Sequence, residues 1–97
     1  MKVIWSPQAE ARLQEIEDFI AQDSPGEAAE FIAKLIERAK VLVAFPNSGR
    51  VVPEKTSGEL REIIEGNYRL VYRLKDGNIE IVTVFEGHRR FPEEDSR

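Results

Sequence analysis

Tyr68-Arg69-Leu70-Val71-Tyr72-Arg73-Leu74, Lys75-Asp76-Gly77-Asn78 and Ile79-Glu80-Ile81-Val82-Thr83-Val84-Phe85 form the run whose reading decides the fold. Asp76-Gly77 is a strong signal for a two-residue hairpin turn, and β-branched and aromatic residues dominate both flanks. In the first flank Tyr68, Leu70, Tyr72 and Leu74 share one face, while Arg69, Val71 and Arg73 share the other. The second flank is apolar on both faces, with Ile79, Ile81 and Phe85 opposed to Val82 and Val84. That pattern suits a central strand covered on both sides. Leu60–Glu65 enters this hairpin through Gly66-Asn67, which gives a three-stranded antiparallel meander.

Upstream the hydrophobic period changes from two to that of a helix. Ser6-Pro7 is a helix start, with Ser6 as N-cap and Pro7 at the first helical position. Ala9, Leu13, Ile16, Phe19 and Ile20 then fall on one face, and Gln22-Asp23 ends the helix. Ser24-Pro25-Gly26-Glu27 is a second start of the same design, with Glu27 spaced to complete a capping box. Ala28, Phe31, Ile32, Leu35, Ile36, Ala39, Leu42 and Val43 form the stripe of this longer helix. So short a link forces an antiparallel helical hairpin. Residues 2–5 read as a short first strand, and Pro46 marks the stop of the second helix. Residues 46–58 read as a loop long enough to suggest a function, and Phe91–Arg97 reads as a polar, frayed tail. The expected fold is α+β in one domain, residues 1–97, with an N-terminal strand, an antiparallel helical hairpin and the meander. The helices cover one sheet face, which leaves the arginine-bearing face open.

Composition narrows the class. The 97 residues suffice for one modest core, and no cysteine is available for disulfides or thiolate metal sites. One histidine and no phosphate-cradling glycine loop argue for no metal and no organic cofactor. No run reaches the length of a signal peptide or membrane span, so a cytoplasmic protein without a membrane partner is expected. The net charge of −4 opposes bulk attraction to nucleic acid. The charge is uneven, however. Residues 1–44 carry 5 basic and 8 acidic side chains, whereas residues 45–90 carry 8 and 7, leaving room for a local basic face.

Three phrases carry a resemblance. They are Phe45-Pro46-Asn47-Ser48-Gly49-Arg50-Val51-Val52-Pro53-Glu54, then Arg61 through Arg73, then Val84-Phe85-Glu86-Gly87-His88-Arg89-Arg90. In this order, on this scaffold, the chain resembles the RelE/ParE superfamily of type II toxin–antitoxin toxins from about Val3 to Arg90. The first and third phrases look like the ParE branch, of the plasmid-stabilisation type. The resemblance implies a growth-inhibiting toxin held inactive by a cognate antitoxin. ParE-like members poison DNA gyrase, and RelE-like members cut mRNA in the ribosome.

Side-chain chemistry separates these readings. Cutting RNA requires a base, an acid and cations on the phosphate, each acid or base contributing about 10²–10⁴-fold. By resemblance, nuclease members carry lysines on the second strand where Leu60 and Glu62 stand here. Arg69, His88 and Arg89 remain as candidate catalytic residues of an mRNA endonuclease, with Glu54 or Glu86 as a conceivable base. A gyrase binder needs no catalytic residue. Its target-binding candidates are Arg61, Arg69, Arg73, His88, Arg89 and Arg90. Strand arginines are more often solvated or paired with acids such as Glu62 and Glu80 than functional. Tyr68 and Tyr72 read as core, and Trp5 as packed between the first strand and the helices. Phe19, Phe31 and Leu35 are candidates for antitoxin contact by helix-in-groove packing. A third reading is a non-toxic binding relative of the same fold.

Overall fold

A computed structural model describes residues 1–96. The order is β1 (Val3–Trp5), α1 (Pro7–Ala21), α2 (Pro25–Val41), β2 (Arg50–Val51), β3 (Arg61–Glu65), β4 (Tyr68–Lys75) and β5 (Asn78–Glu86), closed by a 3₁₀ turn at Glu93–Ser96. Both helix starts form as the sequence dictates. Ser6 Oγ accepts the Ala9 N–H at 3.0 Å and Ser24 Oγ accepts that of Glu27 at 3.2 Å. The capping box expected at Ser24 closes on one side only, because the Ser24 N–H is already bonded to the Ile20 carbonyl.

The meander is present but is only part of the sheet. Five strands lie in the order β1-β5-β4-β3-β2, with β1 parallel to β5 and the other pairs antiparallel. The loop expected at 46–58 contributes the two-residue edge strand β2, which pairs Arg50 with Glu62 and Val51 with Arg61. At the β4–β5 turn Asp76 and Gly77 have φ of 53° and 77°, the left-handed geometry that a tight hairpin demands.

A β-bulge corrects the face reading of β5. Val71 pairs with Thr83 but Tyr72 pairs with Ile81, so Val82 is an extra residue. A one-residue slip moves all later side chains to the other face. Val84 therefore joins Ile79 and Ile81 under the helices, and Phe85 joins Val82 on the far side.

The helix-facing core gathers Ala9, Ile16, Leu35, Ala39 and Leu42 against Ile63, Leu70, Tyr72, Ile79, Ile81 and Val84. The far face is not open as expected. Val52 and Leu60 of the β2–β3 loop, with Phe91 of the tail, pack on Val71, Val82 and Phe85 as a second cluster. The tail is likewise tied down. Asp95 is buried and accepts from Thr83 Oγ1 at 2.9 Å and from Arg12 Nε at 2.8 Å. Arg97, the last residue of the expected frayed tail, lies outside the described residues. Among the described residues no helix is long and apolar enough to cross a membrane.

Candidate target surface and a buried arginine network

Alternation on β4 turns Arg69 away from the helices, under the β2–β3 loop, where it is only 8% exposed. All three of its guanidinium nitrogens are bonded. Nε donates to Glu62 at 2.7 Å, while Nη1 and Nη2 donate to the two oxygens of Glu54 at 2.8 and 2.7 Å. Glu62, 1% exposed, also accepts from Arg50 at 2.5 Å. The Arg69 guanidinium carbon lies 4.8 Å from the Phe85 ring centre and 6.0 Å from that of Phe91. Two backbone anchors present Glu54: the Val52 N–H donates to Leu60 O, and the Lys55 N–H donates to Val52 O. Hydrogen bonding from Arg69, against the opposing effect of burial, holds the Glu54 carboxyl down to about 2. The same bonds raise Arg69. Arg69 is thus a structural hub and not an exposed contact residue.

Arg61 and Arg73 are also committed internally. Arg61 Nη1 donates to Gly49 O at 2.9 Å, and Arg73 pairs with Glu80 at 2.8 Å. The pairing alternative for strand arginines therefore holds at Glu62 and Glu80. His88, Arg89 and Arg90 are exposed at the end of β5. The turn beneath them is fixed by the Gly87 N–H on Asn67 O at 2.7 Å and the Arg89 N–H on Glu86 O at 3.0 Å. A Cβ at Gly87 would stand 3.3 Å from Asn67 O, so the turn has little room for a side chain. Among the described residues, Arg89 and Arg90 make no ion pair.

The nuclease set does not converge on one cleft. Arg69 and His88 line a shallow depression with Arg50, Asn67 and Ile64. Arg89 lines a different groove, of about 250 Å³, with Arg12, Glu15, Phe19, Tyr68 and Glu86. Glu54, the conceivable base, is held ionised by the very arginine that would grip the phosphate. Among the described residues no cluster of His, Asp or Glu is placed to hold a metal ion.

Of the antitoxin candidates, Phe19 is 64% exposed on the rim of the Arg89 groove. Phe31 is half-buried against Tyr68, with ring centres 5.3 Å apart. Leu35 is 0% exposed, a core residue that no partner reaches without opening the helical hairpin. Sequence reasoning missed Arg50 and Arg12. Arg50 sits within the first quoted phrase, but its partner Glu62 becomes visible only once β2 pairs with β3. Nothing local to Arg12 announces a bond to Asp95.

Comparison with known proteins places this geometry in a family. The family model described as ParE toxin of type II toxin–antitoxin system, parDE, matches residues 3–91. The candidate toxin Y4kP of Sinorhizobium fredii is 32% identical over 92 residues, 95% of this chain and 94% of that protein. Toxin RelE2 of Caulobacter vibrioides is 32% identical over 84 residues, covering 86% and 91%. The fold matches a chain of the chromosomal ParDE toxin–antitoxin system from P. aeruginosa with a TM-score of 0.72 at 23% identity, over 89% of this chain and 95% of that one. With the family match spanning nearly the whole chain, the protein belongs to the ParE toxin family of type II toxin–antitoxin systems.

Proposed function

We propose that this ParE-family chain inhibits growth by binding and poisoning DNA gyrase in the cytoplasm, and that a cognate antitoxin neutralises it. The observation that carries this reading is the state of Arg69, whose three guanidinium nitrogens each donate to Glu54 or Glu62. Among the described residues no cation stands free at the position from which a nuclease of this superfamily would grip the scissile phosphate. A poison instead needs only a surface that prefers one state of its target. The exposed His88-Arg89-Arg90 turn is the best such surface, because a local basic patch complements acidic protein or DNA backbone despite a net charge of −4. The antitoxin reading rests on Phe19 and its groove beside α1, which suit an apolar side chain from a segment that folds on binding.

The test is induced expression with and without the product of the neighbouring gene. Gyrase-dependent DNA breaks and loss of supercoiling, suppressed by the neighbour, support the proposal. Ribosome-dependent transcript cleavage that disappears in His88→Ala replaces it with the endonuclease reading. Normal growth without the neighbour points to a non-toxic relative.

A further inference from the structure

Helix α1 borders two grooves, one on each flank of its core-facing stripe. Phe19 and Arg12 line the first. The second, of about 260 Å³, is lined by Trp5, Glu10, Leu13, Gln14, Glu17 and Ile36. The two grooves share no residue, and the second contains no arginine. Its floor is apolar. Trp5 of β1 and Leu13 of α1 rest against the main core, and Ile36 of α2 is half-buried. Three separate elements hold that floor, so its shape is set by the fold and not by a loop.

Residues 10, 13, 14 and 17 follow the i, i+3, i+4, i+7 spacing of one helix face, which places Leu13 and Gln14 between two carboxylates. Glu10 and Glu17 are two turns apart, about 10 Å along the helix axis. Among the described residues neither forms an ion pair. Glu10 lies in the first turn of α1, where the helix N-terminus favours an anion. Glu17 has no such compensation. It is half-buried, and its side chain accepts a long 3.5 Å bond from Gln14 Nε2, which donates to Asp18 at 2.9 Å.

This arrangement selects among cations. A compact inorganic ion reaches one of the two carboxylates and makes no use of the apolar floor. A lysine side chain covers the floor but brings one ammonium to two acids. A linear polyamine supplies both, with ammonium groups at its ends and methylenes between them. Trp5 adds an aromatic surface, which attracts alkylammonium groups. We propose that this groove is a binding site for linear polyamines, whose ammonium groups meet Glu10 and Glu17 while the carbon chain lies across Trp5, Leu13 and Ile36. The site stands independently of both the gyrase and the antitoxin readings.

Trp5 is the chain's one tryptophan, so its fluorescence reports the groove directly. Spermidine titrated into the purified chain should change that fluorescence and half-saturate below about 1 mM. Putrescine, a shorter diamine that cannot reach both acids, should need about tenfold more. The double variant Glu10→Gln/Glu17→Gln should weaken spermidine by about tenfold, the scale of two exposed ion pairs. Glu30→Gln removes the same charge from an exposed position on α2 and should leave binding unchanged. Magnesium chloride at matched ionic strength should leave the fluorescence unchanged, because screening alone does not fill the groove. Spermidine should also raise the Tm of wild type and not that of the double variant, as expected of a ligand held by the folded state. The comparison of spermidine with putrescine uses wild type and decides the matter if the double variant does not fold. The proposal is overturned if the signal does not saturate by about 10 mM spermidine. It is equally overturned if putrescine binds as tightly, if magnesium chloride reproduces the change, or if the folded double variant binds spermidine as wild type does.

Discussion

The Tyr72 hydroxyl accepts the Gly49 N–H at 2.9 Å and donates to the Pro46 carbonyl at 2.8 Å, so one buried phenol pins the segment leading into β2. Glycine at 49 is a matter of approach, since a Cβ would stand 2.7 Å from both the Glu62 carbonyl and the Tyr72 ring. Tyr72→Phe should cost about 1–3 kcal/mol by orphaning a buried amide. Gly49→Ala should cost a similar amount or more, because neither a backbone carbonyl nor a packed ring can yield easily. Urea melts of both variants measure this. A loss under about 0.5 kcal/mol in either would show that the loop is not held here.

Acid should weaken the Glu54–Arg69 pair in a defined window. The folded Glu54 value of about 2 lies below its ordinary 4.5, so the pair's stabilisation is fully present above 4.5 and is lost as pH falls toward 2. With Glu54 more than a third exposed, solvent screening leaves about 1 kcal/mol of effect. The difference in Tm between wild type and Glu54→Gln should therefore be constant at neutral pH and shrink between 4.5 and about 2. A difference that grows on acidification would reverse the assignment.

Much of this was legible in the sequence, for a physical reason. The two Ser-Pro starts and the Asp-Gly turn are local instructions, and the structure follows each of them, whereas α2 ends at Val41, short of the Val43 to which its apolar stripe was expected to run. The bulge at Val82 was not legible, because one extra residue leaves an apolar strand looking equally apolar on both faces. The closed second face was missed for a related reason. Val52, Leu60 and Phe91 are isolated apolar residues in polar surroundings, with no period to declare their common destination. The candidate site divided in the same way. His88, Arg89 and Arg90 lie exposed, whereas Arg69 takes the pairing with Glu62 that the sequence offered as its alternative, and its second partner, Glu54, is fifteen residues away with no local signal.

The C-terminal segment should prove structural. Asp95→Ala strips the buried Thr83 hydroxyl and Arg12 of their shared partner, at a cost of about 2 kcal/mol. Glu93→Ala removes only an exposed pair with Lys55 and should stay within about 0.5 kcal/mol of wild type. Thermal melting separates them, at roughly 4–8 °C per kcal/mol for a domain of this size. Equal melting temperatures would mean that the tail is merely laid on the surface.

Phe19 and Leu35 should behave oppositely. Leu35→Ala opens a cavity in the main core and should cost about 2–5 kcal/mol. Phe19→Ala should leave stability within about 0.5 kcal/mol and weaken capture of the neighbouring gene's product at least tenfold. Unchanged capture would move the antitoxin surface away from this groove.

The central claim is tested most directly by adding the purified protein to gyrase and supercoiled plasmid, then denaturing and digesting the enzyme. Accumulation of linear plasmid that requires gyrase, falls at least tenfold with Arg89→Ala/Arg90→Ala and vanishes when the antitoxin is added first is the predicted result. Undisturbed supercoiling by gyrase, with messenger RNA cut on added ribosomes instead, would contradict it.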